Sequence, residues 1–179
     1  FFVPLITLAT LAVLLGKEMG LYTQDNLNIY FVRMLSGLIF WQFIADAWSE
    51  PVRMCRRSRM LIRSVPFGHA AILTSGLMSA ILMFIIKLPL LIGAMLYFDF
   101  PFNTELISIL FLIIVICLIG TTLSCFSVPL SIGLLDVRNS LPLIQSFLLF
   151  ATPIFYVMPD GGFLYYINIF NPFTYIILP

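Results

Sequence analysis

The sequence predicts an all-α polytopic membrane protein, and three observations carry that prediction. Of 179 residues, 61% are apolar and only 9% are charged, where a soluble domain keeps roughly 25% charged residues to wet its surface. The apolar residues fall into runs of about 20, the number a helix needs to cross a hydrocarbon core of roughly 30 Å. Five of the nine basic residues are gathered in one short segment, which gives the chain an orientation.

Five runs qualify as spans or nearly so, at about 1–15, 29–48, 67–98, 105–127 and 140–158. The first follows no basic segment and precedes no small-residue cleavage site, so it suits a truncated spanning helix better than a signal peptide. The second lies between the polar stretch 16–28 and the basic segment 49–66. The third is long enough to cross with tilt or to kink at Pro89. Gly76 with Ala80, on the third span, and Gly120 with Ser124, on the fourth, have the small-xxx-small spacing that lets helices approach closely. After the fifth span, Pro159-Asp160-Gly161-Gly162 forces a turn, and the apolar run that follows is interrupted at Asn171-Pro172 before it can span. A short re-entrant or interfacial segment at 161–175 is the expectation. The chain begins at Phe1-Phe2 and stops at Leu178-Pro179 within apolar stretches, and reads as the middle of a longer protein. No stretch between spans is long enough for a soluble domain, so residues 1–179 form a single transmembrane domain.

The segment 49–66 holds Arg53, Arg56, Arg57, Arg59 and Arg63, whereas the connection at Asp99 to Glu105 holds only acids. The positive-inside bias therefore assigns 49–66 to the cytoplasm, with the turn around Asp136 and Arg138 on the same side. The arginines serve as a topogenic, lipid-contacting signal or as a docking surface for a soluble partner.

Charges inside the apolar runs are expensive and each needs a reason. Arg33 lies about one turn inside the outer end of the second span, where its stem can snorkel to the interface. Lys87 is about ten residues from the outer end of the third, or about 15 Å deep. It pairs with an oxygen ligand or faces a wet pathway. Asp46, between Trp41 and Trp48, reads as an interfacial residue. Tyr165, Tyr166, Phe170, Phe173 and Tyr175 crowd the outer segment, as an aromatic belt or as a stacking surface for sugar rings or lipid.

The chain has no GxxxxGK[ST], GxSxG or HExxH pattern, so the parts of a phosphate-binding loop or of an embedded hydrolase are missing. Three cysteines without a CxxC pair and a single histidine, His69, do not supply a metal cluster. Cys117 and Cys125 read as small packing residues.

In their order along the chain, three segments resemble the membrane subunit of ABC-2 type exporters, most closely the permeases for O-antigen, teichoic acid and related polysaccharides. They are GLIFWQFIADAWSEPVRM at Gly37–Met54 leading to SVPFG, LLDVRNSLPLIQSFLLFATPIFYVMP at Leu134–Pro159, and NPFTYII at Asn171–Ile177. The resemblance covers essentially the whole chain. It implies a type V ABC exporter transmembrane domain, here a fragment with about five of six spanning helices plus an outer re-entrant segment, in the bacterial inner membrane. It also implies a homodimer with a separate ABC ATPase that binds ATP and Mg, no catalysis by this chain, and a lipid-linked glycan as substrate. By the same resemblance Arg53, Arg56, Arg57, Arg59 and Arg63 lie on the ATPase-coupling helix. Arg33, Lys87, Tyr165, Tyr166 and Phe170 are then the candidates for the substrate path. Where the family often has Arg-Asp between its fourth and fifth spans, this chain has Arg138-Asn139, with its acid at Asp136. Two other readings are an ABC-2 permease for a drug, antibiotic or other small hydrophobic substrate, and an assembly protein of the membrane that transports nothing.

Overall fold

A computed structural model describes residues 27–57, 69–98, 106–133, 135–154, 156, 162–171 and 173–177. The described residues form helices and turns, without a strand among them. In chain order the helices are α1 (Leu27–Arg57), α2 (His69–Tyr97), α3 (Leu106–Gly133), α4 (Leu135–Ala151), α5 (Phe163–Phe170) and α6 (Thr174–Ile177). The first expected span, at 1–15, lies outside the described residues, as do Arg59 and Arg63.

Among the described residues, three helices are long and apolar enough to cross a membrane, over Ile29–Arg57, Ala70–Tyr97 and Phe111–Ser131. Their burial is inverted relative to a water-soluble protein. On α2 the buried positions Ile72, Gly76, Ala80 and Phe84 recur every four residues, while Met78, Leu82, Ile85 and Ile86 are more than half exposed. On α3 Ile116, Gly120, Ser124 and Val128 are buried, while Phe111, Ile114, Leu118 and Phe126 are exposed. Only 22% and 28% of the apolar windows of α2 and α3 are buried. Helices that are apolar all round and carry most of their large side chains outward need a hydrocarbon solvent. This is a membrane protein.

Helix ends differ from the expected spans on α1, α3 and α4, and α3 runs past Ser127 to Gly133. α1 runs nine residues beyond Trp48, so Ser49 to Arg57 is helix and not a connecting loop. Arg56 and Arg57 fill its last turn, where positive charge faces the negative end of the helix dipole. Asp136 and Arg138 stand on the first turns of α4, not in a turn, and Asp136 suits the positive end of that dipole. α4 stops at Ala151, short of Met158. Pro153 disfavours helical backbone at Thr152, and the chain turns there through Thr152 N–H to Leu149 O (3.3 Å) and Ile154 N–H to Thr152 O (2.8 Å).

The chain divides into two compact units, and α1, α2 and α4 each contribute to both. One contains Phe1–Trp41, Lys87–Phe102 and Ser146–Pro179. In it the Trp41 ring meets Phe173 edge-on at 5.5 Å, and Phe31 meets Phe98 at 5.4 Å. The other contains Gln42–Ile86 and Asn103–Gln145. Here α1 is gripped from two sides. A Cβ added to Gly76 would lie 2.5 Å from Pro51 Cα, and one added to Gly120 would lie 2.5 Å from Ala47 Cβ. Both small-residue spacings thus mark close backbone contacts with α1. Phe43 stacks on Phe84 at 4.5 Å beside them.

These contacts predict opposite effects for alanine at three glycines. Gly76→Ala and Gly120→Ala should each cost about 1–3 kcal/mol through overpacking. Gly93→Ala meets nothing within 4 Å and should stabilise α2 by about 0.5–1 kcal/mol. Unfolding of the detergent-solubilised protein measures all three.

Candidate functional site

The basic end of α1 is built by a helix that is buried along most of its length and then emerges. Ala47, Pro51, Val52 and Cys55 are buried, while Arg53, Arg56 and Arg57 are exposed. One of these arginines is turned back on its own helix. The Arg53 guanidinium lies 3.0 Å from the Glu50 carboxylate and donates to Ser49 Oγ at 2.6 Å. That engagement satisfies a glutamate whose side chain is only 12% exposed, since a buried carboxylate needs a partner. Arg56 and Arg57 are left as the outward cationic pair on the last turn. A pair of guanidinium forks on an ordered helix end can engage carboxylates of a protein surface or phosphates of a lipid surface.

The five residues expected along a substrate path all belong to the unit with Trp41, and they divide by exposure. Lys87 is 5% exposed, and Arg33 is exposed on α1. Lys87 therefore points into protein and not into lipid. On α5, Tyr166 and Phe170 are one turn apart and strongly exposed, whereas Tyr165 is half-buried and meets Tyr166 edge-on at 5.8 Å. Tyr175 on α6 extends the exposed aromatic surface, with its hydroxyl donating to Ile169 O at 3.2 Å. α5 has eight residues and α6 four, far below the length of a span.

Sequence reasoning missed the polar cluster that holds these short helices. Asn171 Nδ2 donates to Thr152 Oγ1 at 3.0 Å, and Thr152 Oγ1 donates to Leu148 O at 2.8 Å. Asn171 Oδ1 accepts the Phe173 amide at 3.0 Å, so the residue closes its own turn after α5. The Tyr156 hydroxyl lies 3.0 Å from Asn168 Oδ1. Asn168 and Thr152 are 0% exposed. The available signal was that Thr152 and Asn171 each precede a proline. A polar side chain there can bond backbone that proline has taken out of a helix.

Among the described residues no group of three His, Cys, Asp or Glu side chains could hold a metal ion. Compared with known proteins, the chain matches no family model and no curated sequence.

The Asn171–Thr152 bond predicts a measurable penalty. Asn171→Ala removes the donor to the buried Thr152 hydroxyl and the acceptor of the Phe173 amide, and should cost about 1–3 kcal/mol. Limited proteolysis of the membrane-inserted protein should show faster cleavage in 152–175 than in the parent.

Proposed function

We propose that the chain is the membrane permease subunit of an ATP-driven exporter of the ABC-2 type, moving lipid-linked polysaccharide across the bacterial inner membrane. The observation that carries the reading is the end of α1. A membrane-spanning helix, buried along most of its length, continues without a break into an exposed basic turn at Arg56 and Arg57. Such an end is a lever on which a soluble partner can act. The order of the three family-like segments supplies the identity of that partner, an ABC ATPase that binds ATP and Mg. In this reading two copies of the permease form the channel, and the chain itself catalyses nothing.

In the proposed mechanism the partner's nucleotide cycle changes its differential affinity for two arrangements of the docked helix end, which shifts the population of the spans between closed and open. The aromatic surface of Tyr166 and Phe170 offers faces for sugar rings or lipid. Their helices α5 and α6 form the outer re-entrant segment. Arg33 and Lys87 contribute positive charge for an anionic lipid-linked head group. The buried position of Lys87 favours a path inside the protein over the lipid boundary.

Two experiments test this. Reversing Arg56 and Arg57 to Glu should reduce the ATPase that co-purifies with the chain by about tenfold or more, the scale of interfacial charge pairs. Membrane insertion, read by labelling of loop cysteines, should be unchanged. Loss of insertion instead would assign the arginines to topology, and a wild-type chain that recruits no ATPase would favour an assembly role. Lys87→Met should lower export at normal expression, and undiminished export would remove Lys87 from the path.

A further inference from the structure

Pro51 lies inside α1 and has no amide hydrogen. The Ala47 carbonyl, four residues earlier, therefore has no donor from its own helix. Ala47 is 0% exposed and Pro51 is fully buried, so bulk water is no substitute. α3 brings one. Ser124, itself 0% exposed, places its Oγ 3.1 Å from Ala47 O.

The Ser124 hydroxyl has one hydrogen and two other carbonyls in reach, Gly120 O on its own helix and Trp48 O at 3.4 Å. Both stand where an α-helix supplies its own donor, from the amides of Ser124 and Val52. Ala47 O has none. Its need makes it the acceptor on which the hydrogen gains most, because an unsatisfied buried carbonyl carries the full desolvation penalty. Ser and Thr hydroxyls are among the groups that re-satisfy carbonyls freed by proline in membrane helices. The close approach that makes this possible is set by Gly120, whose missing side chain admits Ala47.

We propose that Ala47–Pro51 is a joint in α1 and that the Ser124 hydroxyl is its latch, a donor lent by α3 in place of the amide hydrogen that proline lacks. A helix missing one rung bends there more easily than elsewhere. The joint immediately precedes Arg53, Arg56 and Arg57, so the latch decides whether the basic end of α1 moves with α3 or pivots on its own. The use of that pivot in coupling rests on the function proposed above. The joint does not, and its test requires neither ATPase nor substrate.

The experiment is a double-mutant cycle on the full chain in detergent, with Ser124→Ala, Pro51→Ala and both together. Pro51→Ala restores the amide donor to Ala47 O. Ser124→Ala should lower the folding equilibrium constant by about fivefold or more in the parent, and by much less when Pro51 is already Ala. Ser127→Ala, which removes the acceptor of the Trp48 Nε1 bond at 2.8 Å, should cost the same with or without Pro51. Spin labels at Leu118→Cys and Arg56→Cys, with the native cysteines replaced, should show a broader distance distribution in Ser124→Ala than in the parent. The double variant should return to the narrow one. An additive Ser124–Pro51 cycle, or a distribution unchanged by Ser124→Ala, overturns the proposal. If Ser124→Ala does not fold, Ser124→Cys, of similar size and a weak donor, enters the same cycle with the same two outcomes.

Discussion

Close approach of backbone to backbone at α1 is the constraint on which the unit with Ala47 depends. Lipid is as apolar as leucine, so large side chains gain little by leaving it for a protein interior, and helices associate through small residues and hydrogen bonds. Gly76 admits Pro51 and Gly120 admits Ala47. Once the backbones are that near, polar groups on α3 reach across. Ser124 Oγ meets Ala47 O, and the Trp48 indole finds Ser127 Oγ. α4 adds Gln145 Nε2 to Ala45 O at 3.0 Å. Each bond satisfies a group that hydrocarbon would leave bare.

The unit with Trp41 solves the same problem differently. Its short helices α5 and α6 cannot satisfy their own ends over so few residues. Between them a side chain that precedes proline takes up the Phe173 amide. Asn171 caps its own turn and ties it to Thr152 at the end of α4. This cluster fixes α5 with Asn168 buried and with Tyr166 and Phe170 turned outward. On α5 the exposed Tyr166 and Phe170 thus lie opposite the buried Asn168.

Much of the architecture was legible because the bilayer enforces it. Run length and low charge give five expected spans, of which three are described helices long and apolar enough to cross, and the four-residue spacing of small residues marks the contacts at Gly76 and Gly120. The basic cluster was visible, but its form was not. Run length places the end of the second span at Trp48, whereas α1 continues through Pro51, packed against Gly76, to Arg57. Burial of α1 overrides a local breaker when neighbours satisfy the freed carbonyl. Pro153 instead ends α4 at Ala151, short of the Met158 that run length suggests, and the chain turns there with the Thr152 amide donating to Leu149 O. Lys87 was readable as an anomaly, but the choice between lipid and interior depends on which face of α2 is covered.

The sequence alone determined that lipid is the solvent, which runs are apolar enough to cross it, and where the few charges lie along the chain. Composition and periodicity are local properties, and the hydrocarbon core leaves a backbone few alternatives. Only the tertiary structure decided which hydroxyl serves which carbonyl, which of the arginines is turned back on Glu50, and which aromatics face outward. Those outcomes depend on residues as far apart as Ala47 and Ser124, and no local pattern specifies which two helices will meet.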